Sequence, residues 1–277
     1  MAQRARDKIW KGGQMKIAVL VKEVPATDKV KMDEKTGTMI RSEMESELNP
    51  LDMYAIEEAV RVKEKIGNTH VIAISMGPPQ AINSIREAIS MGCDYGYLMS
   101  DKYFAGADTL ATAYTLSAAI RKLGKFDLIF SGERATDGET GQVGPSVATQ
   151  LGMPVVTYVS KVEKISDGIV RVCRSVEGGK ETVEVELPAL LSVVKEINEP
   201  RIPNLSGKIA SKSKEIPLLT AKDIKVSSDK VGLSGSPTRV VKVFYPKLSR
   251  DGKILKVKNV ESAVNELIKF MKERGVI

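Results

Sequence analysis

The sequence is poor in the side chains on which most catalytic and metal sites depend. Its 277 residues include one histidine (His70), one tryptophan and two cysteines, Cys93 and Cys173, without C-x-x-C spacing. One histidine cannot build a multi-histidine metal site, and isolated cysteines exclude the spacings of zinc and iron–sulfur centres. His70 lies in an apolar run, which is more typical of a packed strand histidine than of a catalytic one. We therefore expect no metal site and no catalytic side chain, and expect the chemistry to come from a bound cofactor.

Long hydrophobic runs are also absent. The longest apolar run covers residues 17–21, whereas a membrane-spanning helix needs about 20 apolar residues. Residues 1–14 carry charge but lack the apolar core of a secretory signal, and Met15 is a second possible start. We therefore treat residues 1–14 as an N-terminal extension or tag, and we expect no direct membrane insertion. Unpaired cysteines fit a reducing compartment, so the predicted localisation is cytoplasmic.

Three common catalytic and nucleotide-binding motifs are missing as well. The chain has no G-x-S-x-G elbow, no G-x-G-x-x-G after its first strand and no G-x-x-x-x-G-K-S/T loop. A nucleotide site in this chain must therefore use another kind of loop.

Charge is unevenly divided along the chain. Residues 1–194 contain 24 basic and 26 acidic residues, whereas residues 195–277 contain 18 basic and nine acidic residues. A change this abrupt marks two functional parts, with a boundary near residue 195.

Strands and helices alternate over the first part. Apolar runs with the length and composition of buried strands occur at residues 16–22, 69–75, 95–99 and 126–131. Segments with helical periodicity lie between them at residues 50–66, 79–91 and 108–123. Repeated strand–helix units need right-handed crossovers. The predicted fold class is therefore α/β, with a doubly wound, mostly parallel, Rossmann-like sheet.

The first of these helices is predicted to be amphipathic. Asn49-Pro50 opens it, because Asn is a good N-cap and Pro is tolerated at the first helical position. The spacing places a core-facing row at Met53, Ile56, Val60 and Lys63. It places a solvent-facing row at Glu57, Glu58, Arg61 and Glu64.

After residue 152 the pattern changes to antiparallel hairpins. Alternating segments at residues 155–165, 169–176 and 181–187 are separated by S-D-G and E-G-G turns. A last buried strand is predicted at residues 189–194. Prolines interrupt the chain beyond residue 195, so the next long helix is expected only at residues 261–272.

The most informative segment follows the strand at residues 126–131. Residues 132–145 read G-E-R-A-T-D-G-E-T-G-Q-V-G-P and lead into a short predicted helix at residues 147–151. In open α/β sheets, ligands bind beyond the carboxyl ends of strands. Glycines allow close backbone approach there, helix N-termini attract phosphate, and Thr140 and Gln142 add neutral donors. The spacing alone fits a nucleotide site and an ordinary glycine-rich loop, with Asp137 as a turn former, equally well.

Three other loops follow strand ends or precede helices and are expected to converge on the same crevice. They cover residues 22–25, 49–52 and 75–79. Met76 has the chemistry to pack against a flat ring, although filling a gap in the core is the more frequent use of such a methionine.

Together these residues resemble the beta subunit of electron transfer flavoproteins, from Met15 to the tail. The resemblance rests on V-K-x-V-P at the first strand, Asn49-Pro50 with E-E-A-V-R, S-M-G-P at residues 75–78, the loop at residues 132–144, and N-E-P-R at residues 198–201. This combination is far more specific than any one of its loops. It implies a doubly wound domain that binds an adenine nucleotide and pairs with an alpha subunit, whose FAD carries electrons.

The resemblance also implies a domain division and a set of contacts. A nucleotide-binding α/β domain would cover residues 15–195, and residues 196–277 would form a recognition loop and a C-terminal arm that wraps the partner. Leu205 would be the apolar anchor for electron-exchange partners, namely dehydrogenase, ferredoxin or quinone-reducing proteins. The implied nucleotide contacts are Leu20, Asn49, Pro50, Leu51, Asp52, Met76, Gly132, Glu133, Arg134, Ala135, Thr136, Asp137, Gly138, Glu139, Thr140, Gly141, Gln142 and Val143.

Members of this family divide by nucleotide. Simple electron carriers hold AMP in this subunit, whereas electron-bifurcating members hold a second FAD that NADH reduces. Residues 137–145 resemble the glycine-rich bifurcating pattern, so FAD is the predicted cofactor, NADH the predicted donor and AMP the alternative. One departure is Glu133-Arg134, where many bifurcating members have Arg-Gln. Arg134 then lies either near the flavin or in a surface ion pair.

Two other function classes would each explain one feature of the sequence. A nucleotide hydrolase or ligase would need a metal-binding carboxylate cluster, for which Asp137 and Glu139 alone are thin support. A nucleic-acid binder would explain the basic tail, but the tail lacks the stacking aromatics of known modules. We therefore expect no nucleic-acid partner, and interpret the tail as a solvated arm that wraps a partner subunit.

Overall fold

A computed structural model describes residues 14–26, 46–241 and 259–277. The chain divides into two compact units, Met1–Val241 and Lys242–Ile277. All but Gln14 of the predicted N-terminal extension lies outside the described residues, as do residues 242–258 of the predicted arm. The boundary predicted near residue 195 rests on a change in charge along the chain, whereas these units are defined by their internal contacts. The functional division at residue 195 therefore stays a prediction.

The first unit is built on one large, mostly parallel sheet. Its strands are β1 (Met15–Leu20), β4 (Thr69–Met76), β5 (Tyr95–Met99), β6 (Leu128–Gly132), β7 (Val155–Ser166), β8 (Ile169–Val176), β9 (Gly179–Glu186), β10 (Ala189–Val193) and β11 (Leu218–Leu219). They lie in the order β11-β5-β4-β1-β6-β10-β7-β8-β9. Only the β7–β8 and β8–β9 pairings in this sheet are antiparallel, so the predicted doubly wound α/β fold with antiparallel hairpins is confirmed.

Helices cover both faces of this sheet. Those that pack on it are α1 (Pro50–Ile66), α2 (Ile82–Met91), α3 (Thr109–Leu123) and α4 (Val143–Leu151), whereas α5 (Leu205–Ser213) packs on α2. Residues of β1 alternate between the two cores, because successive side chains of a strand point to opposite faces. Ile17 and Val19 pack in the core under α1 and α2, whereas Ala18 and Leu20 pack in the core under α3 and α4.

A small second sheet was not predicted from the sequence. The segment after β1 forms β2 (Glu23–Pro25), which pairs antiparallel with β3 (Ser46–Leu48). Val24 is buried in this pairing. These two short strands lie between β1 and α1 in the chain.

The predicted solvent face of α1 is wrong at two positions. Glu57 and Glu58 are both buried, and the Glu57 side chain is only 3% exposed. The reason is that the segment after β10 crosses over α1 and covers them. Asn198 Nδ2 donates to Tyr54 O (3.0 Å) and to Glu58 Oε2 (3.1 Å).

An arginine completes this crossing. Arg201 Nε donates to Glu57 Oε2 (2.7 Å), and its two terminal nitrogens bond both carboxylate oxygens of Glu64 (2.6 and 3.0 Å). Burial by itself raises the pKa of Glu57, but hydrogen bonds from Arg201 and Arg61 outweigh burial and the net pKa is lowered. Glu57 is therefore charged and matched by two guanidinium groups.

The same segment continues into α5, which packs on α2. Arg86 Nη1 donates to the carbonyl oxygens of Ser211 and Lys212 at the C-terminal end of α5. At the other end, the Asn204 side chain caps the helix by accepting from Gly207 N (2.7 Å). Both ends of α5 are therefore fixed, and its outer face is left exposed.

The described part of the second unit contains helix α6 (Val260–Glu273), which is capped by the Asn259 side chain. This agrees with the helix predicted at residues 261–272. Val264, Leu267 and Phe270 are partly exposed on it and follow helical spacing. Within the described ranges, no helix is long and apolar enough to cross a membrane.

The crossing at Arg201 gives a testable prediction for stability. Arg201→Ala leaves the buried Glu57 carboxylate with one arginine fewer, so we expect the free energy of unfolding to fall by about 2 kcal/mol. Amide hydrogen exchange in α5 should rise at the same time. The control is Arg171→Ala, which removes an exposed cross-strand pair with Glu184 (2.8 Å) and should cost less than about 1 kcal/mol. Equal losses in urea titrations of the two variants would contradict the prediction.

Candidate functional site

The carboxyl ends of three neighbouring strands meet at one edge of the large sheet. Leu20, the last residue of β1, pairs in register with Ile74 of β4 and Ser131 of β6. Met76 ends β4, and Gly132 ends β6. The glycine-rich loop of residues 132–142 leaves the sheet at this edge and ends at α4. The predicted convergence of strand ends and loop is therefore present.

Asn49 fixes the loop to the body of the domain. It is fully buried, although its side chain does not cap α1. Instead, Asn49 Nδ2 donates to Arg134 O (3.0 Å), and Asn49 Oδ1 accepts from Thr136 N (3.2 Å). Its backbone N donates to Lys22 O (2.8 Å). At the start of α1, Asn49 thus bonds the loop after β6 through its side chain and the segment after β1 through its backbone.

Asp52 lies in the first turn of α1 and holds the same three elements from within. Its buried carboxylate accepts from Lys22 N (2.8 Å) and from the backbone N of Gly132. Burial raises the pKa of Asp52 to about 7, against hydrogen bonds from Asn49, Lys22 and Gly132 that lower it. Gly132 must be glycine here, because an added Cβ would lie 2.5 Å from Asp52 Oδ1 and 2.9 Å from Leu51 C.

A second link closes the loop from the outside. Lys22 Nζ lies 2.7 Å from both carboxylate oxygens of Asp137. Two residues beyond, the backbone turns through left-handed conformations at Glu139 (φ 51°) and Gly141 (φ 63°). The loop therefore doubles back toward α4 while it remains tied to the end of β1.

Most charges of the loop are already matched within it. Arg134 lies 3.4 Å from Glu133 and 3.9 Å from Glu139, and Lys22 neutralises Asp137. Arg134 thus forms the surface ion pairs that were one of its two predicted roles. The remaining polar groups of the loop are neutral hydroxyls, an amide and backbone N–H groups.

The first turn of α4 faces this loop. No side chain of the described residues caps α4, because Gln142 Oε1 accepts from Thr109 Oγ1 (3.0 Å) instead. The first backbone N–H groups of a helix lack intrahelical acceptors. In α4 these groups are those of Val143 and Gly144, because Pro145 has no N–H and Ser146 N donates to Gln142 O (3.0 Å). They are available, with the positive end of the helix dipole, to an anion at this edge.

The structure brings the predicted nucleotide contacts to this one edge, on β1, β4, α1 and the loop with α4. The segment after Met76 makes a different contact, because Gly77 N donates to Met99 O of β5 (3.1 Å). Leu205 lies apart from this edge, on α5. Two residues that hold the site were not among the predicted contacts, Lys22 and Thr109. Lys22 lies in a loop that the sequence did single out, whereas nothing in the sequence indicates the Thr109 contact.

The raised pKa of Asp52 predicts how stability depends on pH. The folded protein keeps the Asp52 proton up to about pH 7, whereas the unfolded chain loses it near 3.8. The stabilisation that this difference in proton binding gives the folded state is complete below pH 3.8. It is lost as the pH rises from 3.8 to about 7, and the free energy of unfolding falls by at most about 1.4 kcal/mol per pH unit. Urea titrations between pH 5 and 8 should show this fall for the unchanged protein. Asp52→Asn, which cannot ionise, should show a flatter profile, and identical slopes would contradict the prediction.

Comparison with known proteins agrees with this arrangement. A family model described as "Electron transfer flavoprotein domain" matches residues 36–224. The electron transfer flavoprotein subunit beta of Thermoanaerobacterium thermosaccharolyticum is 47% identical over 264 residues, which cover 95% of this chain and 100% of the relative.

Two other relatives carry different descriptions. The caffeyl-CoA reductase-Etf complex subunit CarD of Acetobacterium woodii is 44% identical over 263 residues, covering 95% of this chain and 100% of the relative. The protein FixA of Azorhizobium caulinodans is 36% identical over 239 residues, covering 84% of this chain and 85% of the relative. From these matches, the chain belongs to the electron transfer flavoprotein family and is homologous to its beta subunits.

Proposed function

We propose that this chain is the beta subunit of a heterodimeric electron transfer flavoprotein that binds FAD at the described edge. In this proposal it receives electrons from NADH and passes them, by flavin-based bifurcation, to the FAD of the alpha subunit and to acceptor proteins. Membership of the family supports the electron-transfer role. The observation that carries the assignment of the site is the glycine-rich loop that Asn49 holds at the meeting point of three strand ends.

The residues at this edge suit a dinucleotide. When bound, FAD supplies the redox chemistry, which no side chain of this chain provides. The backbone N–H groups at the start of α4 and the hydroxyls of Thr136 and Thr140 are the donors for pyrophosphate and ribose oxygens. An added Cβ at Gly138 would meet no atom within 4 Å. Gly138 is exposed, so a phosphate can approach the backbone there without meeting another part of the protein.

Ion pairs reduce the negative charge that an anion meets at this edge. Lys22 pairs with Asp137, and Arg134 lies near both Glu133 and Glu139, so two cations offset two of the three loop carboxylates. Asp52 carries less than a full charge at neutral pH, because burial raises its pKa to about 7. Each hydrogen bond to a charged phosphate oxygen contributes about 1.5–3 kcal/mol.

The partner surfaces are part of the same proposal. Leu205 and Ile209 are 75% and 61% exposed on α5, which is fixed at both ends, and they form an apolar surface for electron-exchange partners. Helix α6 belongs to the arm that wraps the alpha subunit. A cytoplasmic location also stays part of the proposal, and the two unpaired cysteines support it.

The nucleotide content of the heterodimer tests the proposed function. The chain is co-expressed with its alpha subunit, and the complex is extracted with acid and analysed by chromatography. We expect two FAD and no AMP per heterodimer, and we expect NADH to bleach the flavin absorbance without a separate dehydrogenase. AMP with one FAD would overturn the FAD assignment in favour of a simple electron carrier. A complex without nucleotide on this chain would overturn the site itself.

A glycine substitution tests the position of the nucleotide. Gly141→Val places a β-branched residue at φ 63°, which costs about 1–2 kcal/mol. The free loop can relax, whereas binding must restore the conformation, so nucleotide affinity should fall about tenfold. Gly152→Val is the matched control, because Gly152 has φ 69° but lies at the far end of α4.

The control should keep its nucleotide even if both variants lose some stability. Gly138→Val adds a third measurement, since the space beside Gly138 is free of protein atoms. A loss of affinity in that variant then reports contact with the nucleotide. Full occupancy of the complex that carries Gly141→Val would contradict the assignment of the loop.

A further inference from the structure

A groove outside the nucleotide site opens on the flank of α1. It has a volume of about 330 Å³ and lies between α1, β7 and the turn at Lys195–Ile197. Its floor is apolar and is formed by Val62, Ile66, Val162, Ile165 and Ile197. All but Val62 are only partly buried, and they pack against the core beneath α1. The core thus reaches the surface here without a cover from the described residues.

The rim of the groove is basic. Arg61 and Lys65 of α1 face Lys161 and Lys164 of β7 across the floor. Arg61 pairs with Glu57, whereas the three lysines form no ion pair with any described residue. The single acidic lining residue, Glu58, is buried and accepts from Asn198.

These two features describe a partner of definite chemistry. An apolar floor that continues the core is typical of permanent interfaces, because transient ones are smaller and more polar. The unpaired lysines on the rim favour acidic side chains beside the apolar ones. A flat membrane surface meets the rim but does not fill a concave floor between a helix and a strand. A polypeptide segment can place apolar side chains into it.

We propose that this groove binds an acidic, amphipathic segment of the alpha subunit, with apolar side chains on the floor and carboxylates against the lysine rim. This rests on the proposed function, which supplies the alpha subunit as a permanent partner. The groove then forms part of the heterodimer interface at a place distinct from the nucleotide site and from the exposed face of α5.

Charge reversal on the rim tests the proposal. Lys161→Glu/Lys164→Glu is compared with Lys222→Glu/Lys225→Glu, which makes the same change of net charge at exposed positions outside the groove. The purified full chain is titrated with the alpha subunit at low and high salt. We expect the groove variant to bind at least tenfold more weakly at low salt and to lose much of its salt dependence. The control should stay within twofold of the unchanged chain.

A photo-crosslinking residue at Val162 provides a second measurement that does not depend on charge. We expect it to crosslink to a peptide of the alpha subunit that contains aspartate or glutamate beside apolar residues. A heterodimer with unchanged affinity in the groove variant, or with no crosslink from position 162, would overturn this inference and leave the proposed function standing. Flotation with phosphatidylserine vesicles that requires the same lysines would overturn it in favour of a membrane. Failure of the unchanged chain to form a heterodimer would overturn both.

Discussion

The buried side chain of Asn49 is the contact on which the architecture of the site depends. It bonds the backbone of the loop on both sides of Ala135, and its own backbone N is bonded to Lys22 at the end of β1. If the buried amide lost these partners, its polar atoms and those of the loop would be unpaired. The free-energy cost of burying unpaired polar groups exceeds the net stabilisation that the hydrogen bonds provide. The loop can therefore be long and rich in glycine and still have one conformation.

This contact also explains why Asn precedes Pro at the start of α1. An N-cap asparagine normally accepts from the first turn of its own helix. Here the first turn does not need the Asn49 side chain as an acceptor. Pro50 has no N–H, and Asp52 N donates to the Asn49 backbone oxygen (2.9 Å). The Asn49 side chain is thus free to hold a segment 87 positions further along the chain. The Asn-Pro pair that signals the start of α1 in the sequence therefore also supplies the side chain that holds the loop of the site.

The sequence predicted those features that depend on local pattern. Apolar runs and alternating segments located the strands of the large sheet except β11, and glycine stops located the ends of α1 and α2. The rule that ligands bind at carboxyl ends of strands located the edge. The start of α4 was predicted four residues too late, because Gly144-Pro145 lowers helix propensity although Pro is tolerated in a first turn.

Long-range cover could not be predicted in the same way. Glu57 and Glu58 follow the periodicity of a solvent face, and only a segment about 140 positions away buries them. The pairing of Lys22 with Asp137 and the contact of Thr109 with Gln142 have the same character. A charged residue alone does not indicate its partner, and one sequence contains no record of which residues change together.

The position of β1 between β4 and β6 in the sheet has a consequence for the order in which the chain folds. Lys16 N bonds Asp127, 111 positions later, whereas β7, β8 and β9 pair with their immediate neighbours in sequence. Closing long loops costs more conformational entropy than closing hairpins, so the antiparallel meander can form early, while β1 must wait for β6. On a ribosome, β1 therefore lacks its β6 partner until about 110 further residues have been made, and the strand edge that carries the loop cannot be completed before then.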